Sequence, residues 1–430
     1  MELVLLVTAL VVMIVLGAPM GITMAVLPVV YILITGELPL STVPYQMYEA
    51  LSHVPLLAVP FFILTAELMN SGRITERLLA LARELVGRIR GGLAQMNVVG
   101  SMMFAAMNGS AVADVAAIGG ILIPAMKKAG YPGDFAAALT AMGSTIGGIL
   151  PPSILIVLLA STMGMSIGAL FTAGIVPGLM VGGLLMVVVF IYAVARGYGR
   201  FEDPFTFLAL WKAFVGAWAA LLIPLIIVGG IVMGVFTATE AGAIAVLVAF
   251  VIGAFVYRTL TLRTIGATLF RAVKITSSVF IILAASGPFS WLLNRIGALQ
   301  GLEGFLAQFA GSPILFGAVL IGIIFLVGTI LEPIPCVIVL APTLIKACVG
   351  AGFHEVQAAL VLAVGFIMGS VSPPVGVCYF TAAAIAGEKI EKVARALLPL
   401  LLVEVFVMVV MLVVPAVTLA LPKAFGFLRG

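Results

Sequence analysis

The run Gly143-Ser144-Thr145-Ile146-Gly147-Gly148-Ile149-Leu150-Pro151-Pro152-Ser153 sets small, hydroxyl and helix-breaking residues in apolar sequence, and it has a twin. Shifted by 222 positions, Gly365 to Val375 repeats it, so Gly143, Gly147, Pro151 and Pro152 fall on Gly365, Gly369, Pro373 and Pro374. Two adjacent prolines remove two amide donors, and glycine weakens a helix further. A helix entering either run must open and leave carbonyls without partners. With 63% hydrophobic and 9% charged residues over 430 positions, the surrounding solvent is a bilayer and the chain a polytopic membrane protein. There, opened backbone is tolerated only where it is buried in protein or lines a watery cavity. Paired interruptions in two halves point to a transporter's binding site.

The first apolar run carries Glu2, no basic leader and no clear cleavage site, which predicts a retained helix rather than a signal peptide. Spans are expected near 2–16, 22–35 and 53–70, followed by an interfacial helix rich in arginine. An apolar segment from 93 to 129 breaks at Asn108-Gly109-Ser110, a broken span runs from 134 to 162, and a whole span covers 173–195. Arg196 to Trp218 mixes basic and aromatic residues and reads as an amphipathic surface connector. The second half repeats the plan: spans near 219–234, 238–257 and 276–293, a loop, a segment from 313 to 350 broken at Gly328 to Pro335, a broken span from 356 to 387, and a last span near 396–421. Further matches keep the offset steady, among them Gly109 with Gly328 and Pro177 with Pro399, and Asp114 is matched with Glu332.

Cytoplasmic loops carry an excess of Lys and Arg. With both broken apolar segments as hairpins and the N-terminus outside, seventeen of the twenty-one basic residues fall inside; only Arg295, Lys346, Lys423 and Arg429 fall outside. Each half then has five spans, an odd number, so the second half is inverted. The expected fold is all-α, with two inverted-topology repeats, each carrying a re-entrant hairpin and a broken transmembrane helix. The corresponding domains are scaffold at 1–92, transport unit at 93–172, a scaffold span at 173–195, the connector at 196–218, scaffold at 219–312, transport unit at 313–390, and a scaffold span with the C-terminus at 391–430. The formal charge of +4 sets orientation and implies no nucleic-acid partner.

Three stretches, Asn108 to Ala117, Gly147 to Ser153 and Gly234 to Ala241, give the chain a resemblance to the large membrane subunit of tripartite ATP-independent periplasmic (TRAP) transporters. The resemblance spans nearly the whole chain, although family members commonly carry Ser where Asn108 stands. It implies an elevator-type carrier of the ion-transporter superfamily in the bacterial inner membrane. Such a carrier is driven by sodium and needs no prosthetic group; the two equivalent oxygen-rich breaks and the cost of moving an anion inward against the potential lead to at least two Na+ transported. It takes an organic anion from a periplasmic substrate-binding protein and works with a small membrane subunit, here a separate chain.

The residues suggest their own chemistry. A half-helix N-terminus offers free amides to an anion, whereas unwound carbonyls and helix C-termini suit a cation. Candidate substrate contacts are Asn108, Gly109, Ser110, Pro152, Ser153, Thr329, Glu332 and Pro374. Candidate cation ligands, all oxygen donors as a hard cation requires, are Asn108, Ser110, Thr145, Gly147, Gly148, Gly328, Thr329, Gly369, Ser370 and Ser372. Small hydroxyl residues also serve close helix packing, and that reading stays open for each. Asp114 in a first helical turn is explained by the helix dipole. Glu332, an intramembrane acid in a hairpin tip, is a candidate cation or gating contact. Glu67, Glu240 and Glu404 read as structural, His53 and His354 as boundary residues, and Cys336, Cys348 and Cys378 as buried thiols. No metal-spaced His or Cys cluster and no nucleophile with a base suggests an enzyme. The competing function is a stand-alone sodium/carboxylate symporter or cation antiporter of similar two-hairpin design.

Overall fold

The computed structural model describes residues 2–72, 74–201 and 205–428, with the side chains of Val15, Ala106, Met107 and Asn108 outside the described set. Among the described residues the chain forms helices and no strand. Helices α1 (Glu2–Val15), α2 (Met20–Thr35) and α3 (Thr42–Leu51) precede α4 (Ala58–Ser71) and α5 (Ile74–Val86). A helical hairpin follows, α6 (Gly92–Asn108) and α7 (Ala111–Lys128), then a helix broken into α8 (Gly133–Ile149) and α9 (Ile154–Met163), then the long α10 (Ile167–Arg196). After α11 (Phe207–Val232), α12 (Ala238–Val251), α13 (Leu262–Arg295) and α14 (Ala298–Ala307) the succession returns. It runs through hairpin α15 (Pro313–Gly328) and α16 (Pro333–Gly350), broken helix α17 (Glu355–Gly369) and α18 (Val377–Ala386), and long α19 (Ile390–Val413), with α20 (Ala416–Ala424) last. Eight helices among the described residues are long and apolar enough to cross a membrane.

The breaks fall where the backbone chemistry demands. Helix α8 ends before Pro151 and Pro152, whose missing amides cannot continue its ladder, and α9 restarts with the Ser153 hydroxyl accepting from the Ile156 amide at 3.3 Å. Helix α17 stops in the same way before Pro373 and Pro374, but its gap is longer, with α18 starting only at Val377. Every residue of α8 from Phe135 to Ile149 is buried, and so is every residue of α17 from Val356 to Gly369. Large apolar side chains that are exposed, such as Leu225, Leu247, Phe270 and Leu402, lie on the peripheral helices, where acyl chains would meet them. Across the centre the halves interlock: α9 packs on α16 of the second hairpin, and α18 packs on α7 and α8 of the first. Helices α10 and α19 pack on both α8 and α17, while α13 holds α2, α3 and α4.

Several boundaries differ from the sequence reading. The connector at 196–218 and the span at 219–234 are not separate: α11 runs unbroken from Phe207 to Val232, because a single lysine and the tryptophans do not stop a helix. The expected loop after 293 contains helix α14, and α13 begins at Leu262, taking Arg263, Arg271 and Lys274 into its first half. The last span ends at Val413, where Pro415 separates α19 from α20. Asp114 and Glu332 are not equivalent. Glu332 stands at the residue just before α16 as Ser110 does before α7, whereas Asp114 lies within α7 and corresponds to Cys336, at the offset of 222.

Ion pairs join residues that the count of basic charges assigns to one face. Lys127 pairs with Glu388 at 3.6 Å and Arg271 with Glu67 at 2.9 Å, all on the predicted inner side. Arg295 pairs with Glu37 at 3.1 Å and Lys346 with Glu303 at 2.9 Å, all on the predicted outer side.

Candidate functional site

A cavity of about 430 Å³ lies between the two hairpin tips and a wall made of the α1–α2 elbow, α4 and α13. The first tip contributes Gly109 to Ala113, and the second contributes Gly328 and Ile330 to Ile334. Gly148, Ser370 and Cys378 come from the broken helices, and Ile63, Glu67, Ile275 and Val279 from the opposite wall.

Each tip is pressed onto the break of its own half, and glycine makes that possible. Gly109 has φ +60°, a left-handed conformation that suits glycine, and a Cβ there would stand 2.9 Å from the Ile154 amide nitrogen and the Pro152 carbonyl oxygen. A Cβ on Gly369 would fall 2.6 Å from the Gly328 Cα and closer still to its carbonyl. The two broken helices meet at Gly148, where an added Cβ would strike Ile367.

The tips differ in what they offer. At the start of α7, where Ser110 to Ala113 line the cavity, the Ser110 hydroxyl caps no amide; among the described residues Asp114 N is the first to bond back, to Ser110 O at 3.1 Å, with the first-turn amides of Ala111, Val112 and Ala113 ahead of it. Free amides at a helix N-terminus favour an anion. At the start of α16, Pro333 and Pro335 delete two of the first three amides, and the cavity meets the Glu332 carboxyl instead. That end disfavours an anion and suits a cation.

Of the residues expected at the site, Gly109, Ser110, Gly148, Gly328, Glu332 and Ser370 line the cavity. The Asn108 side chain lies outside the described residues. Thr145, Gly147, Pro152, Ser153, Thr329, Gly369, Ser372 and Pro374 do not line the cavity and form its backing. Their hydroxyls are anchored: Thr145 donates to Met142 O at 2.7 Å, Ser153 to Gly148 O at 2.8 Å, Thr329 to Leu326 O at 2.8 Å, and Ser372 to Met368 O at 2.7 Å. A hydroxyl that spends its proton this way still turns lone pairs outward, which is what a cation needs. Among the described residues no group of three His, Cys, Asp or Glu side chains could hold a metal ion. The sequence reading took Glu67 as structural and did not single out Arg271. Arg271 Nε donates to Glu67 Oε2 at 2.9 Å and its terminal nitrogen to Ser71 Oγ at 2.8 Å, setting a neutralised ion pair at the cavity wall.

Among solved structures, the crystal structure of the Alcanivorax borkumensis YdaH transporter, described as having an unusual topology, matches with a TM-score of 0.61 over 87% of each chain at 13% identity, a likeness of fold. The C4-dicarboxylate TRAP transporter large permease protein DctM of Pseudomonas aeruginosa is 36% identical over 383 residues, 89% of each chain. The sialic acid TRAP transporter large permease protein SiaM of Vibrio cholerae is 33% identical over 415 residues, covering 95% of this chain and 96% of that one. Residues 7–417 match the family described as the tripartite ATP-independent periplasmic transporter, DctM component. A cavity bounded by two hairpin tips, in a polytopic membrane chain with these relatives over nearly its whole length, is that of a secondary transporter of organic acids and not of an enzyme: the chain belongs to the DctM component family of tripartite ATP-independent periplasmic transporters.

Proposed function

We propose that the chain carries an organic anion, a carboxylate of the C4-dicarboxylate, sialic acid or keto acid class, inward across the bacterial inner membrane together with at least two sodium ions. The observation that carries this reading is the chemical split across one cavity, lined on one side by the first turn of α7, with the amides of Ala111, Val112 and Ala113, and on the other by Glu332 at the start of α16. Moving a negative charge inward against 100 mV costs about 2.3 kcal/mol, so the potential helps only if cations outnumber the anion's charges. Oxygen donors suit sodium at both breaks: Ser110, Thr145 and the Gly147 region in one half, Gly328, Thr329, Gly369, Ser370 and Ser372 in the other.

The halves are read as inverted repeats, and the hairpins with their broken helices as one body sliding against α2, α3, α4 and α11 to α13. Since α10 and α19 pack on α8 and α17, they are assigned to the moving body, which redraws the scaffold limits set at 173–195 and 391–430. A small membrane subunit stabilises the scaffold and a periplasmic binding protein delivers the anion. The test is uptake in proteoliposomes holding the chain, the small subunit and the binding protein with its retained anion. Sigmoidal sodium dependence and loss of uptake without the binding protein are expected. Full uptake by the chain alone with free substrate would favour the stand-alone symporter instead.

A further inference from the structure

Behind the first hairpin tip, away from the cavity, four oxygens lie buried with no hydrogen-bond partner within 3.5 Å among the described residues. They are Asn97 Oδ1 and Ser101 Oγ on α6 and both carboxyl oxygens of Asp114 on α7. Asn97 and Ser101 are wholly buried, Asp114 is 1% exposed, and none of the three lines the cavity. Asp114 sits beside Ser101, and no cation of the protein pairs with it among the described residues. The orientation of the Asn97 amide is fixed by its neighbour. The Thr140 hydroxyl donates to Ala136 O at 2.8 Å, so it can only accept from Asn97 Nδ2 at 2.7 Å, which leaves Oδ1 turned to the group. Gly143 on α8 lies against the group, and a Cβ there would stand 3.1 Å from Ser101 Oγ and 3.9 Å from Asn97 Oδ1.

Orphaned acceptors are costly in a buried site unless a ligand supplies positive charge. The second half shows that the fold does not require them: α15 carries no polar side chain at all, and Cys336 stands in the position of Asp114. We infer that Asn97, Ser101 and Asp114, packed against the bare backbone of Gly143, form a binding site for one dehydrated sodium ion, separate from the cavity and its two tips. The single carboxylate neutralises one monovalent charge. Two neutral oxygens complete an all-oxygen set too poor in charge for a divalent ion. Held there, the ion ties α6 to α7 and so stiffens the arm that presents the anion-facing amides. The role as a coupling ion rests on the reading of the chain as a sodium-driven carrier; the site itself rests on the orphaned oxygens.

The experiment is equilibrium binding of radioactive sodium to the full chain in lipid nanodiscs, with choline holding ionic strength constant. Asp114→Asn, nearly isosteric, is expected to bind one sodium fewer per chain, and Ser101→Ala and Gly143→Ala to keep the number but weaken one site several-fold. Ser110→Ala, at the tip, is expected to leave this site unchanged. Asp114→Asn retaining the full number of bound ions would overturn the inference while leaving sodium coupling intact. Wild-type chain binding no sodium above the choline control would overturn the sodium reading itself. Should Asp114→Asn fail to yield monodisperse protein, unaltered binding in both Ser101→Ala and Gly143→Ala would overturn the site.

Discussion

The two hairpin tips occupy matching places in the two halves and present opposite chemistry. The first ends in Gly109-Ser110 and keeps its three first-turn amides; the second, through Pro333 and Pro335, has lost two of the equivalent donors and carries Glu332 just before its helix. The difference teaches that the same helical frame can carry different chemistry when a few backbone donors at the tip are substituted. An N-terminal turn binds an anion by amides that point at it, and proline removes them without disturbing the helix, since the first turn needs no donor.

The comparison breaks most severely where the tips touch their backing. Gly109→Ala and Gly369→Ala each force a Cβ into backbone, and uptake is expected to fall about 100-fold. Gly120→Ala on α7, where nothing lies within 4 Å, should leave it unchanged. Initial rates of radiolabelled uptake at equal expression check both.

Making the first tip resemble the second sharpens the claim. Ser110 has φ −128° and ψ 114°, the extended conformation that a following proline prefers. The double substitution Ala111→Pro with Ala113→Pro should therefore fold and remove two amides. The substrate concentration for half-maximal uptake is expected to rise about 30-fold, because a hydrogen bond to a charged group contributes about 1.5–3 kcal/mol. The sodium dependence of uptake should stay as in the wild type, and an unchanged substrate dependence would remove the amides from the account.

A smaller effect is expected at the other tip. Glu332→Gln should raise the sodium concentration for half-maximal uptake about tenfold, a change of about 1.4 kcal/mol, while substrate affinity at saturating sodium holds. Smallest are the single hydroxyls. Ser110→Ala and Thr329→Ala each delete one neutral oxygen and should weaken the sodium dependence about threefold. Sodium titrations of uptake at fixed membrane potential distinguish these from a general loss of activity.

The breaks and hairpins were legible in the sequence because glycine and proline act on the backbone locally. The segments expected at 93–129 and 313–350 are the hairpins 92–128 and 313–350, and Pro151, Pro152, Pro373 and Pro374 interrupt helices as their missing donors require. What depends on packing was not legible. Helix α14 is amphipathic and short, so its polar residues read as loop until α13 and α16 cover its apolar face. The pairing of Glu67 with Arg271, 204 positions apart, follows from α4 lying on α13. Asp114 looked satisfied by the dipole of its own helix. Only the burial of its side chain against α6, with both oxygens unpartnered among the described residues, separates it from an ordinary first-turn acid. Glu404 hides in the same way: its oxygens are buried without partners beside Thr145, whose proton is already committed to Met142 O.

The most direct test is the current that accompanies transport. Proteoliposomes containing the chain, its small subunit and the loaded binding protein, adsorbed to a solid-supported membrane, should give an inward positive current on a sodium jump. That current should require both sodium and the loaded binding protein, and it should scale with more sodium charges moved than anion charges. Uptake that proceeds without sodium, or that carries net negative charge inward, would contradict sodium coupling through the two tips.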